Sequence, residues 1–238
     1  MNSKKLLLFN LFTLGLLLAI MVKEHYPQKV WHYFKKKPEV KDEKIQYWLN
    51  RDQLFEALPH DSNSIVFIGT SLTENFELNE IFKNCAIKNR GITSDVTEGI
   101  LNRLNPVILD QPKKIFLEAG INDLGKGYTS AQLVANYKLI IEKLQKACPN
   151  TQLFLQSILP VANKGQYPTY NNPQINAAIV TVNSQLKALA LAKNVTYIEL
   201  YNSFVINNEL NSKYVIQDGI HLNGEAYKLW AELLKPYL

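Results

Sequence analysis

The stretch SIVFIGTSL, residues 64–72, decides the fold: a short run of apolar residues ends at Gly69 and gives way to Thr70 and Ser71 before polar and then helical sequence begins. An apolar run of this length, closed by glycine, reads as a strand covered on both faces, the habit of parallel sheets packed between helices. Working outward, further candidate strands fall at residues 86–89, 115–119, 153–158 and 195–200. Helical periodicity fills the intervals. After Thr129 the residues Leu133, Val134, Tyr137, Ile140, Ile141 and Leu144 share one face; so do Ile175, Ile179, Val182, Leu186 and Leu189, and later Ala226, Tyr227, Trp230, Leu233, Leu234 and Tyr237. Alternating strands and helices predict a three-layer α/β/α sandwich on a mostly parallel sheet of about five strands, with right-handed crossovers and a site at the carboxyl ends of the strands.

The 238 residues are 47% hydrophobic and 20% charged, which excludes disordered, collagen-like and disulfide-scaffold classes. Basic residues exceed acidic ones, but residues 1–41 hold eight Lys and two Glu, so the rest of the chain is close to neutral and carries no electrostatic footprint for nucleic acid. Within that segment the 17 uncharged residues 6–22 follow Lys4 and Lys5 and suit an uncleaved membrane helix; a cleavable signal peptide is the alternative. Residues 23–41 mix Lys with Tyr26, Trp31, Tyr33 and Phe34, as expected of a juxtamembrane linker. The expected organisation is therefore an anchor at 1–22, a linker at 23–41 and one α/β domain at 42–238, with that domain outside the cytoplasm. Cys85 and Cys148, with no CxxC, read as two buried small hydrophobes, and no metal site is expected.

Chemistry is sought at the carboxyl ends of the strands. Ser71 lies at the turn from the first strand into a helix, where a serine is either a nucleophile or a plain helix cap. A nucleophile needs a base. His25 and His32 belong to the linker, and His60 precedes the first strand and so lies at the amino end of the sheet, which leaves His221. Asp218, three residues earlier, can reach one imidazole nitrogen while the other faces the serine; alone it would read as a turn residue. Donors for an oxyanion are offered by Gly91, after the second strand, and by Asn122 in Gly120-Ile121-Asn122-Asp123, after the third.

In order, Gly-x-Ser at 69–71, glycine at 91, Gly-x-Asn-Asp at 120–123 and Asp-x-x-His at 218–221 resemble the four blocks of the SGNH (GDSL-type) hydrolases, over about residues 62–238. The resemblance implies the flavodoxin-like fold of that family, Ser71 as nucleophile, Asp218 orienting His221, and an oxyanion hole made by the backbone of Ser71 and Gly91 with the Asn122 amide. The stretch NRGITSDVTEGILNRL, residues 89–104, is similar to the acetylhydrolase subgroup that includes platelet-activating-factor acetylhydrolase catalytic subunits and carbohydrate O-acetylesterases. Two positions depart from the pattern: Thr70 stands where the family usually has Asp, and Ser94 where a Gly often precedes the block-two Asp.

The expected function is a serine esterase without cofactor, acting on short-chain, chiefly acetyl, esters of a carbohydrate or similar polar alcohol. The loop 160–173 supports the polar substrate, being rich in Asn, Gln and Tyr; Tyr167 and Tyr170 are its candidate sugar-packing residues. Competing readings are a lysophospholipase or longer-chain lipase, an acyltransferase on the same residues, and a catalytically inactive binding module. Oligomeric state is left open.

Overall fold

A computed structural model describes residues 42–238; the expected membrane helix and linker lie outside the described residues. Two compact units divide after Gln46, inside helix α1 (Glu43–Ala57), and the site lies wholly in the unit Tyr47–Leu238.

The five strands are β1 (Ile65–Gly69), β2 (Ile87–Gly91), β3 (Lys114–Glu118), β4 (Gln152–Gln156) and β5 (Thr196–Ile198). They form one wholly parallel sheet in the order β2-β1-β3-β4-β5, the doubly wound arrangement whose order reverses beside β1. Each strand starts or stops within two residues of the expected position: β2 runs on to Gly91, which pairs with Gly69, whereas β4 stops at Gln156 and β5 at Ile198, short of the expected ends.

Because side chains alternate across a strand, the sheet has two apolar faces. One face, with Val66, Ile68, Ile115, Leu117 and Leu155, packs on α7 (Ser130–Ala147) and α8 (Pro173–Ala192) through Tyr137, Ile140, Ile141, Ile179, Val182 and Leu186. Thr129 and Gln132 form a reciprocal capping box at the start of α7, satisfying backbone donors that the helix itself leaves unpaired. On the other face Phe67, Phe116 and Phe154 stack in series at 4.5 Å between neighbouring centroids. They are covered by α10 (Gly224–Leu234), whose Trp230 donates to Gln156 Oε1 at 2.8 Å.

Short helices follow the carboxyl ends of the strands: α2 (Ser71–Glu74) and α3 (Leu78–Phe82) after β1, α4 (Thr97–Asn102) and α5 (Asn105–Asp110) after β2, α6 (Ile121–Gly125) after β3, and α9 (Tyr201–Phe204) after β5. A two-residue antiparallel pair, β6 (Val205–Ile206) with β7 (Glu209–Leu210), was not expected, since strands of two residues carry no periodicity. The cysteine expectation holds for one residue of two. Cys148 is buried, whereas Cys85 is exposed between α3 and β2, and both are free thiols.

Candidate active site

Ser71 is the first residue of α2, directly beyond β1, so its backbone N–H has no acceptor within the helix and its side chain stands at the carboxyl edge of the sheet. Its hydroxyl caps nothing: the cap position is Thr70, which makes no side-chain capping bond. Instead Ser71 Oγ lies 2.8 Å from His221 Nε2, and His221 Nδ1 lies 2.5 Å from Asp218 Oδ2.

The local sequence explains how Asp218 is held. Gly219 adopts φ +85, a left-handed conformation that glycine enters without a Cβ penalty. Beyond that turn the backbone N–H groups of Ile220 and His221 both donate to Asp218 Oδ1 at 2.9 Å. Burial opposes the Asp218 charge, but these two amides and the imidazole outweigh it and hold the carboxyl below its ordinary pKa. An ionised Asp218 accepts from Nδ1–H, which fixes the tautomer in which Nε2 offers its lone pair to the serine.

Asn122 lies in the first turn of α6, and its Nδ2 donates to Asp95 O at 2.9 Å. Gly91 ends β2 beside Gly69. There is no room for a side chain at Gly91, because an added Cβ would lie 2.3 Å from Glu74 N and 2.9 Å from Thr70 O. Its N–H differs from the expectation of an open donor: it bonds Asn89 Oδ1 at 2.9 Å, while Asn89 Nδ2 closes the end of α2 on Thr73 O at 2.7 Å. The structure therefore gathers Ser71, His221 and Asp218 into one hydrogen-bonded chain, with Gly91 at the neighbouring strand end. The two candidate sugar-packing residues, Tyr167 and Tyr170, come from the 160–173 loop. Tyr170 Oη lies 3.3 Å from Asn122 Oδ1, and Tyr167, 44% exposed, meets the Tyr170 ring edge-on at 6.5 Å. His60 is engaged elsewhere, 3.1 Å from Asp110.

Three supporting contacts were not foreseen. Asp95 Oδ2 pairs with Arg103 Nε at 2.7 Å and its Oδ1 accepts from Trp48 Nε1 at 2.9 Å, so the carbonyl that holds Asn122 belongs to a residue anchored twice. Asp123, fully buried, accepts from Thr97 N and from the Thr97 hydroxyl, tying the start of α4 to α6. Burial raises the Asp123 pKa, and the Thr97 bonds work against that rise. The Asn-Asp pair in block three was the available signal; its own partners, Asp95 and Thr97, are 27 and 26 residues away and carried none. Ser94 has φ +64, a left-handed conformation that glycine enters without a Cβ penalty.

The sequence profile of the GDSL-like lipase/acylhydrolase family matches residues 67–229, which contain Ser71, Gly91, Asn122, Asp218 and His221. The chain belongs to that family. As a GDSL-type acylhydrolase it is a carboxylic ester hydrolase. Its curated relatives include the human platelet-activating factor acetylhydrolase IB subunit alpha1, 26% identical over 190 residues that cover 76% of this chain and 78% of that protein. Among solved structures, a protein of Streptococcus pneumonia provisionally described as a platelet activating factor is 27% identical at a TM-score of 0.71, covering 92% of this chain and 98% of that one. An acetyl xylan esterase shares the fold at a TM-score of 0.62 and 20% identity, over 74% of this chain and 99% of its own.

Proposed function

We propose that this acylhydrolase works through Ser71, His221 and Asp218 and removes short acyl groups, acetyl above all, from a carbohydrate or similar polar alcohol. The observation that carries the reading is the continuous hydrogen-bonded chain from Ser71 Oγ through the imidazole to Asp218. His221 Nε2 takes the hydroxyl proton as Ser71 Oγ bonds to the ester carbonyl carbon, and the carbonyl oxygen becomes an oxyanion. Ser71 N–H and the free N–H of the Asn122 amide donate to it; Gly91 N–H joins them by exchanging or sharing its bond to Asn89. Collapse breaks the C–O bond of the ester, and His221 returns the proton to the leaving alcohol. Water then attacks the acyl-serine with His221 again taking a proton, releasing the carboxylic acid and restoring Ser71. Asp218 stays ionised throughout and balances the imidazolium charge.

Support for the substrate class comes from the polar 160–173 loop, in which Tyr167 meets the ring of Tyr170, and from the word acetylhydrolase in the name of the curated relative. We further propose that residues 1–22 tether the enzyme to a membrane with the catalytic domain outside the cytoplasm. The substrate reading is tested with the full-length chain by kcat/KM along p-nitrophenyl esters from acetate to decanoate, together with acetate release from acetylated sugars. The expected maximum is at acetate, with acetate released from a sugar. A maximum at eight carbons or more, with none released, would overturn it.

A further inference from the structure

Two unrelated packing features converge on the Asn122 side chain. One of its amide hydrogens is committed to Asp95 O, which leaves the other for a substrate oxygen. At the opposite end of the amide, Oδ1 faces the Tyr170 hydroxyl at 3.3 Å. The Tyr170 ring lies against Gly125, one turn after Asn122 on the same helix: a Cβ on Gly125 would fall 2.5 Å from Tyr170 Oη and 2.6 Å from Cε1 and Cζ. Gly125 is the last residue of α6, and the Tyr170 ring fills the space that a side chain there would take. The loop that carries Tyr170 is also bound to the turn of the triad acid. Ala162 N donates to Gly219 O at 2.8 Å, Gln166 N to Asp218 O at 3.1 Å, and a Cβ on Gly165 would lie 2.2 Å from Asp218 O.

We propose that Tyr170 is a positioning residue whose hydroxyl donates to Asn122 Oδ1, so that the amide, held at both ends, aims its remaining N–H at the oxyanion, and that the 160–173 loop thereby fixes the oxyanion donor and the triad carboxylate as one unit. The inference rests on the reading of Asn122 as an oxyanion donor. The hydroxyl is suited to the task because burial raises the Tyr170 pKa and keeps the phenol protonated. At 3.3 Å the bond is longer than the usual hydroxyl bond, and such contacts tighten when a ligand fills the site. Catalysis is sensitive to this kind of restraint, since a donor misplaced by a fraction of an ångström loses much of its effect on the transition state.

The test is a double-mutant cycle in the full-length enzyme with p-nitrophenyl acetate, using Tyr170→Phe, Asn122→Ala and the pair, with Gly125→Ala as an independent displacement of the ring. Asn122→Ala should lower kcat by about 10²-fold or more. Tyr170→Phe should lower kcat by about tenfold with KM within twofold and an unchanged melting temperature, and Gly125→Ala should reproduce that kcat loss. In the Asn122→Ala background Tyr170→Phe should have no further effect. A kcat for Tyr170→Phe within twofold of the parent, or a loss that adds fully to that of Asn122→Ala, would overturn the inference while leaving the esterase reading intact. If Asn122→Ala itself left kcat unchanged, the oxyanion reading would fall, and the inference with it.

Discussion

In the proposed mechanism Ser71 becomes a nucleophile by virtue of its neighbours: the imidazole 2.8 Å away would supply the base, and Asp218, held ionised by two amides, the tautomer. Ser71→Ala and His221→Ala should each lower kcat by about 10⁴-fold, and the double variant should be scarcely worse than either, because the three groups act as a unit. Steady-state kinetics on the folded variants checks this. A second residue-scale prediction concerns Glu118 at the end of β3, which is fully buried with both carboxylate oxygens lacking a hydrogen-bond partner among the described residues. Burial pushes its pKa up to about 8, so the folded state holds a proton that the unfolded chain gives up near its ordinary value. Between those values the folded state binds more protons than the unfolded one, and stability falls as pH rises, by on the order of 1 kcal/mol per pH unit. The neutral Glu118→Gln variant should therefore gain melting temperature relative to the parent as pH is raised from 5 to 8. A difference independent of pH would show that Glu118 is ionised in the fold.

At the scale of elements, the site is a set of strand ends pressed against short helices, and glycine sets how closely they approach. Gly91→Ala would force its Cβ into the backbone at Glu74 and Thr70, parting β2 from α2; overpacking of this kind costs about 1–3 kcal/mol, and thermal unfolding should register it with a parallel loss of activity. β1, β3 and β4 were legible because each has a closed apolar centre, whereas β2, IKNRG, offers one apolar residue before its glycine; Ser71, Asn122 and His221 were legible because the turns that carry them have distinctive local sequence. What could not be read depends on distant partners. Nothing near Trp48 reveals that it will hold Asp95, 47 residues on. Tyr170 was read as a surface for sugars, and only the folded structure brings its hydroxyl to Asn122 and its ring onto Gly125. Cys85 was expected inside because cysteine usually is, yet the turn before β2 leaves it exposed.

For the molecule as a whole, the excess positive charge and the apolar run belong to residues 1–41, while the catalytic unit is near neutral. If residues 1–22 anchor the chain, full-length protein should stay with membranes through an alkaline carbonate wash, and protease added outside intact cells stripped of their wall should digest the catalytic domain. Recovery of the protein in the wash, or full protection until lysis, would contradict the tether or its orientation. The central claim, that a single serine carries the acyl group, is tested most directly by intact-mass analysis after exposure to an alkyl fluorophosphonate, followed by peptide mapping. One adduct per chain is expected, located at Ser71, forming in step with loss of esterase activity and absent from Ser71→Ala and slowed in His221→Ala. Inactivation without an adduct at Ser71, or a Ser71→Ala enzyme that is still labelled and inactivated at the parent rate, would contradict it.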